Sequence, residues 1–452
     1  MIRKLLRRVF ARRAGPSKAK TTTKVTHISV EQHGIRREQI LPAARKVCAV
    51  LQGAGFKAYV VGGAVRDLIA GIKPKDYDVA TSATPDEVHH LFRRSRIIGR
   101  RFRIVHVMSG PDTIEVSTFR ALHDKDTITD EHGRVLHDNV WGTMEEDATR
   151  RDFTVNALYY DPGTEEVLDY HNGVTDLQHK TLRMIGEPVA RYREDPVRML
   201  RAARLAAKLG LDIEAATRAP IREMADLLGN VPAARLFDEM LKLLSSGHAV
   251  ICLKRLREEG LHQGLLPLLD VILEQPQGQR FLWLSLANTD ERVRAGKPIS
   301  PGFLFATLLW HEVLANWTSR REKGEYVYPA LFAAMDEVLA TQAEKLAITR
   351  RIAADITEIW TLQPRFEKRA GKAPYRLLEQ PRFRAGYDFL RLRAESGEIE
   401  LELPDWWDKF AKAGTEEREA MLIPEKKGEG PRKRRRPRRK PDSKPADSPT
   451  EA

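Results

Sequence analysis

Cysteine is nearly absent: Cys48 and Cys252 are the only two among 452 residues. Each falls within a helical apolar pattern, so neither a disulfide framework nor a cysteine-built zinc cluster is suggested. A reducing compartment suits such a chain, and the expected location is the cytoplasm. Long apolar runs are missing as well, so stable membrane insertion is not expected. The opening MIRKLLRRVFARRA lacks the apolar core of a secretory signal. Being Arg-rich and acid-poor, it is also compatible with an organellar transit peptide. Neither G-x-x-x-x-G-K-[ST] nor G-x-G-x-x-G occurs, which excludes a P-loop and a Rossmann fingerprint.

Acid is scarce at the two ends only. Residues 1–20 hold eight Lys/Arg and no Asp/Glu, and residues 426–452 hold eleven Lys/Arg against four acids. The whole chain carries +13, so the stretch between the ends is close to neutral, near −2. The ends therefore read as arms for a polyanion. The run PRKRRRPRRK at 431–440 and the Pro/Ser/Asp residues after it cannot form a core, so a disordered tail is expected. In between, 42% hydrophobic residues supply ample core for two to four domains.

What the chain does have is concentrated in Val60–Thr81, VVGGAVRDLIAGIKPKDYDVAT. The apolar run Tyr59–Val61 ends in Gly62-Gly63, a short helix carrying Arg66 and Asp67 follows, and a turn at Gly71 and Pro74 leads to a second strand. In that strand Asp76 and Asp78 project to one face, with Tyr77 and Val79 on the other. Two close carboxylates repel unless a cation lies between them, and hard divalent ions such as Mg2+ favour oxygen ligands. The glycine pair lets backbone approach a ligand and opens a helix N-terminus to phosphate. Arg66 lies one turn further on, within reach of the same anion. A lone D-x-D is more often a solvated edge, and a lone Gly-Gly more often a turn. Their order and spacing favour a metal-bound nucleoside triphosphate.

The surrounding pattern is mixed, then helical. Residues 1–30 read as disordered or weakly helical. A packed helix is expected over Glu38–Leu51, and a second from Thr84, with Glu87 completing a capping box. Strands are expected at Ser95–Ile98, Arg103–Ser109 and Thr113–Phe119, then a mobile loop over Leu122–Gly142 and a helix over Met144–Tyr159. From Asp195 onward helices dominate: Val197–Leu209, Ala233–Leu244, Val250–Glu259, Phe303–Leu314, Ala330–Leu346, Arg350–Leu362 and Ala373–Ala394. The expected fold class is α+β, with a basic arm (1–35), a mixed-sheet head (36–185), a helical neck (186–265), a helical body (266–424) and a disordered basic tail (425–452).

Three further clusters belong with the glycine–carboxylate stretch. Arg150-Arg151-Asp152 can set Asp152 beside the metal pair and Arg151 near the nucleotide. In EDPVRMLRAAR, Asp195 and Arg198 are three apart on a helix and can present a flat donor–acceptor pair to a base edge. Arg201 and Arg204 follow at three-residue steps, which fall about 60° short of a turn, so the stripe winds. Ile98-Gly99-Arg100-Arg101-Phe102-Arg103 can grip phosphates. Taken singly, each of these is also an ordinary charged surface.

In order along the chain, GGAVRD, KDYD, IEVSTFR, RRDFTVNAL and EDPVRMLRAAR resemble the class II nucleotidyltransferase superfamily of bacterial poly(A) polymerases and tRNA CCA-adding enzymes. The resemblance covers roughly residues 55–265. IIGRRFRIVHV (Ile97–Val107), LLEQPRFRAGYDFLRLRAE and the basic tail are similar to the polyadenylating branch and extend it over nearly the whole chain. It implies a polymerase-beta-like head and untemplated addition of AMP from ATP to an RNA 3′ end, with pyrophosphate released. Two magnesium ions on Asp76 and Asp78 are implied, with Asp152 in the catalytic set. Gly62, Gly63 and Arg66 match the triphosphate loop, and Arg151, Asp195, Arg198, Arg201 and Arg204 match nucleotide-binding positions. Glu115, on an apolar–acid–apolar strand, competes with Asp152 for the place of third carboxylate, and Ala64 stands where some members carry a third glycine. Also expected are a monomeric enzyme, RNA-decay proteins as partners, and involvement in mRNA polyadenylation and turnover. The rivals are a tRNA CCA-adding enzyme, which shares the active site, and a non-catalytic RNA-binding protein that would need no carboxylate pair. A His-Asp phosphohydrolase is disfavoured, because His137-Asp138 lacks companion ligands.

Overall fold

The computed structural model describes residues 24–99, 103–122, 140–263, 265–266 and 269–424. The expectations for the N-terminal arm up to residue 23, Arg100–Phe102, most of the 122–142 loop with His137 and Asp138, and the basic tail lie outside the described residues. The fold is α+β: an eight-stranded mixed sheet, then helices, with a two-stranded parallel sheet of Thr181–Leu182 and Asp212–Ile213 where they join.

The sheet is built from β1 (Thr26–Ile28), β2 (Ala58–Val61), β3 (Asp78–Thr81), β4 (Ser95–Ile98), β5 (Ile104–Ser109), β6 (Asp112–Thr118), β7 (Leu158–Asp161) and β8 (Glu166–Asp169), in the order β1-β8-β7-β2-β3-β6-β5-β4. All neighbours are antiparallel except β3 and β6. Period-two alternation gives the sheet two apolar faces. Val60, Val79, Val105, Val107, Val116, Leu158 and Tyr160 pack on one side under helix Pro42–Gly53, which buries Ala44, Val47, Cys48 and Leu51 at helical spacing. Val61, Ala80, Tyr159 and Leu168 belong to a smaller cluster on the other side with Phe119 and Ala148. Both cysteines are buried free thiols, pushed up to about 12 for Cys48 and about 11 for Cys252, in each case chiefly by burial. Neither is a reactive thiolate.

The structure corrects the sequence reading in four places. Residues 26–28, expected to be disordered or weakly helical, form the edge strand β1 on β8, and Ile28 and Ile35 enter the core. The second strand begins at Asp78 rather than Asp76. The Tyr77 hydroxyl donates to the Gln39 carbonyl at 2.7 Å, outside the ladder, which fixes the approach. The helix expected over Met144–Tyr159 stops at Thr149. A 3-10 turn at Thr154–Asn156 and strand β7 follow, because Phe153 and Val155 enter the helical core while Leu158 and Tyr160 pack on one face of the sheet and Tyr159 on the other. Ala373–Ala394 is two helices, Ala373–Leu378 and Phe383–Glu395. Pro381 turns the preceding residue away from helix, and Arg382 is anchored on Asp355.

The helical part has one long apolar core, running from Tyr192 through Trp310 and Trp360 to Phe389, and a smaller one around Phe366, Trp407 and Phe410. Helix Pro276–Arg294 lies in the expected helical body but is not among the segments that apolar periodicity marks out. Its buried face includes Ser285, Thr289 and Asp290, which blunts the apolar periodicity. Asp290 instead caps the neighbouring helix, accepting from the Ala249 and Val250 amides at 2.6 and 3.2 Å. No helix among the described residues is long and apolar enough to cross a membrane.

Candidate active site

Strand register assembles the centre. Asp78, the first residue of β3, pairs with Val61 on one side and Glu115 on the other, and Glu115 pairs with His106 on β5. Register partners point to one face of a sheet, so Asp78 and Glu115 stand side by side. Val61 immediately precedes Gly62, which brings the carboxylates to the glycine turn. Asp76 and Asp78 are exposed, whereas Tyr77 and Val79 between and after them are buried. Gly62 has φ +66, and helix Gly63–Ile69 starts directly after it. A side chain there would be strained, and its Cβ would lie 3.2 Å from Arg151 Nη1. The first-turn amides of that helix have no partners within it.

Beneath the turn sits a buried hub. Asp147 accepts from Arg150 Nε and Nη2 at 3.0 and 2.7 Å, from Arg151 Nη2 at 3.0 Å and from the Tyr159 hydroxyl at 2.7 Å. Burial would raise its carboxyl, but the two guanidinium groups override burial and hold it well below the usual carboxylate range. Arg151 is thus fixed under Gly62 with its charge locked on. Arg66 is fixed too: Nη1 donates to Asn156 Oδ1 at 2.6 Å, and Nη2 to Asp67 Oδ1 at 2.6 Å. Asn156 turns its amide nitrogen to Asp152 Oδ1 at 2.9 Å.

Helix Val197–Leu209 closes the other wall. Arg198 Nη1 donates to Glu194 Oε2 and to the Arg191 carbonyl, both at 2.8 Å. Arg201 lies 3.2 Å from Asp152, Arg204 3.6 Å from Glu239, and Lys208 donates to Asp67 at 2.7 Å. Asp152 is buried; that would raise its carboxyl, yet Arg201, Asn156 and the Phe153 amide bring it down to about 2. The expected Asp195–Arg198 pair does not form. Asp195 precedes the helix in an extended conformation and accepts from Arg235 Nη2 at 2.7 Å.

The eleven residues matched to catalytic, metal or nucleotide positions line one cavity of about 1260 Å³: Gly62, Gly63, Arg66, Asp76, Asp78, Arg151, Asp152, Asp195, Arg198, Arg201 and Arg204. Glu115 lines it as well. Arg103, expected at phosphate, is instead paired with Asp86. The sequence reading gave no role to Lys73 and Lys75, although they lie within the glycine–carboxylate stretch, and missed Lys208, Arg235, Lys242 and Arg294, which come from segments with no motif of their own. The wall carries thirteen Lys/Arg against seven Asp/Glu, a field suited to a polyanion. Asp78 stays open to the cavity, yet the walls crowded around it strip water from its carboxylate and, with the Glu115 and Asp76 charges, push it up to about 6, with Arg151 pulling the other way. Such a crowded pair of carboxylates would be relieved by a cation.

Among the described residues no three or more His, Cys, Asp and Glu side chains form a complete metal cage. Magnesium is commonly held by one or two carboxylates plus substrate phosphates and water. Asp76 and Asp78 fit that kind of site and not a closed structural one.

Three family profiles match the chain: the poly A polymerase head domain over 58–183, a probable RNA and SrmB-binding site of polymerase A over 210–273, and the polymerase A arginine-rich C-terminus over 323–440. The chain is 44% identical over 423 residues to poly(A) polymerase I of Salmonella typhimurium, covering 91% of each chain. It is 44% identical over 432 residues to poly(A) polymerase I of Haemophilus influenzae, covering 90% of this chain and 94% of that protein. A CCA-adding enzyme of Levilactobacillus brevis is 40% identical over 203 residues, which is 45% of this chain and 50% of that one. In fold the chain is similar to a tRNA nucleotidyltransferase solved with a primer tRNA and an incoming ATP analog (TM-score 0.54, 21% identity, 81% of this chain and 98% of that one). It is also similar to the Thermotoga maritima CCA-adding enzyme solved with tRNA (TM-score 0.51, 18% identity, 87% and 84%).

Proposed function

Because the chain belongs to the bacterial poly(A) polymerase I family, we propose that the basic cavity between the sheet and helix Val197–Leu209 is where it joins ATP to an RNA 3′ end. The chain is a polynucleotide adenylyltransferase, which adds AMP without a template and releases pyrophosphate. The observation that carries the site assignment is the placing of Asp78 beside Glu115 at the strand end that runs into the Gly62–Gly63 turn, with Asp76 lining the same cavity. The corresponding division of the chain is a head to residue 185, a neck to 265 and a body to 424.

Asp76 and Asp78 would hold magnesium, two ions in this reading, with Glu115 beside them. Bound there, magnesium would lower the pKa of the attacking 3′-hydroxyl and offset charge on the triphosphate. Gly62 lets the triphosphate approach the backbone closely. Arg151, immobilised by Asp147, and Arg66, immobilised by Asp67 and Asn156, supply fixed positive charge that needs no reorganisation during reaction. Asp152 takes part by aiming Arg201 into the cavity. With no template, the base must be read by side chains, and Asp195 and Arg198 are assigned to its edge. Two rigid walls then hold hydroxyl and α-phosphorus in line, which is where most catalysis of phosphoryl transfer resides. A monomer in the cytoplasm that meets RNA-decay proteins belongs to the same proposal.

The test offers a short RNA, or a deacylated tRNA lacking its end, with magnesium and each nucleotide in turn. Long ladders with ATP alone are expected. Asp76→Ala should abolish them while circular dichroism stays that of the parent. Retained turnover would remove the carboxylate pair from the site, and a stop after two or three residues requiring CTP would point to the CCA-adding activity.

A further inference from the structure

We propose that the end of the cavity formed by Lys208, Lys242 and Arg294 is a separate phosphate subsite, which holds the backbone of the RNA strand behind its reacting 3′ end. The proposal rests on the reading of this cavity as the place of nucleotidyl transfer. Three helices end here, and each brings a cation in its last turn: Lys208 of Val197–Leu209, Lys242 of Ala233–Leu244 and Arg294 of Pro276–Arg294. All three residues line the cavity, together with the turn at 246–248. A cation is favoured at a helix C-terminus. The helix dipoles account for one cation at each end, but not for three such ends being gathered on one cavity wall.

Two of these cations are fixed by carboxylates. Lys208 Nζ donates to Asp67 Oδ2 at 2.7 Å, and Lys242 Nζ to Glu239 Oε1 at 3.1 Å. Glu239 is buried and also lies 3.6 Å from Arg204, so one acid holds two cations, as Asp147 does beneath the glycine turn. The Lys242 side chain nevertheless stays 59% exposed, which leaves its other donors open to a ligand. Arg294 has no carboxylate partner among the described residues. The charges of Arg294 and Lys208 meet at His248. Its imidazole is held below the ordinary histidine range, first by burial, with Asp290 opposing, and then by those two cations. Gly247, at φ +83, lets the turn close down on helix Pro276–Arg294, since a Cβ there would lie 3.2 Å from Val293.

Position decides which phosphate is held. The triphosphate has its own setting in the glycine turn, Arg66 and Arg151, and the base edge is assigned to Asp195 and Arg198. Lys208 comes ten residues after Arg198, about 15 Å further along the helix. The cavity, at about 1260 Å³, exceeds the roughly 300–1,000 Å³ usual for one small ligand. The reaction needs two polyanions present at once, and the phosphates that precede the 3′ end must lie along a wall of the cavity. Lysine and arginine on phosphate carry no sequence information. The subsite therefore holds the strand without reading it.

The test measures KM for RNA and KM for ATP separately, on an oligo(A) primer, in Lys242→Gln, Arg294→Gln, the double variant and Lys242→Arg. The double variant is expected to raise KM for RNA about tenfold or more, and each single glutamine variant about threefold or more. KM for ATP should move much less. Lys242→Arg keeps the charge and should stay close to the parent. Primers with one methylphosphonate, which removes a single charge, locate the contact. In the parent, substitution at one or two internal positions should lower kcat/KM, and in the double variant those positions should no longer matter. Thermal unfolding serves as the folding control. A rise in KM for ATP, or in the inhibition constant of pyrophosphate, at least as large as that for RNA would give the subsite to the nucleotide's own phosphates and overturn the RNA assignment. No change in any of these constants would remove the subsite and leave the transfer reading standing. A parent that makes no ladder would remove that reading, and this proposal with it.

Discussion

At the scale of single residues, two carboxylates, Asp78 in the cavity wall and Asp147 buried beneath it, are set to opposite tasks. Asp147 is held ionised by two arginines, whereas Asp78 is pushed up to about 6 by the walls crowded around it and by Glu115. The signs then differ for stability. A carboxyl lowered in the fold contributes stability above its unfolded pKa and loses it as pH falls. A carboxyl raised in the fold favours the folded state only at low pH, and that contribution disappears as pH rises through its folded pKa. The metal-free protein should therefore carry a local penalty at Asp78 around neutrality. Asp78→Asn is expected to raise the metal-free melting temperature at pH 7, on the order of a degree or two, while removing turnover. Magnesium plus a non-hydrolysable ATP analogue should stabilise the parent at pH 7.5, less so as pH drops through about 6, and should not stabilise the variant. Differential scanning fluorimetry across pH 5–8 reads all of this. A variant that melts below the parent at pH 7 would contradict the picture of crowded like charges.

At the scale of elements, the 3-10 turn Thr154–Asn156 decides how well the site is held. Asn156 joins Arg66 to Asp152, and the turn is pressed against helix Gly173–Gln178. A Cβ on Gly173 would lie 2.2 Å from the Thr154 carbonyl oxygen, which is backbone and cannot swing aside. Gly173→Ala is expected to cost about 1–3 kcal/mol and to lower kcat, because the displaced turn carries Asn156 with it. Gly229→Ala, where a Cβ meets nothing within 4 Å, should stay within about 0.5 kcal/mol. Urea titrations of the two variants, paired with ladder assays, check both. This turn also shows where sequence reading stops. The segment Met144–Tyr159 has helical character throughout, and only the demand of two separate cores for Phe153 and Leu158 breaks it. The glycine–carboxylate stretch, by contrast, was legible because its parts are adjacent in sequence and strand register needs only a short turn to bring Asp78 beside Val61. Glu115 was recognisable as a candidate, but its place next to Asp78 needed the parallel pairing of β3 with β6. The link from Asp195 to Arg235 had no local signal, since forty residues separate them. Asp195 was therefore paired with its sequence neighbour Arg198, whose own partner is Glu194.

At the scale of the whole molecule, positive charge is found in two kinds of place. The cavity wall has its surplus of Lys/Arg fixed by ion pairs with Asp147, Asp152, Asp67 and Glu239. The chain ends hold nineteen Lys/Arg against four acids in residues 1–20 and 426–452, with a composition that cannot build a core. The first kind of charge positions one triphosphate and one RNA end. The second can neutralise phosphates anywhere along a strand, and it does so by releasing counterions. For single-stranded nucleic acid each neutralised phosphate contributes about 0.7 to the slope of log K against log salt. Removal of residues 425–452 should then flatten the slope for an unstructured RNA by roughly 2 or more, as engagement of only three of its eleven cations would require. The ATP-over-CTP ratio should stay that of the parent, since Asp195 and Arg198, assigned to the base, line the cavity. Fluorescence anisotropy of labelled oligo(A) between about 50 and 200 mM salt measures the first quantity, and nucleotide competition on a short primer measures the second. A slope that does not move would take the tail off the RNA. A ratio that does would mean that the tail reaches the nucleotide, and that the fixed walls of the cavity are not sufficient to choose the base.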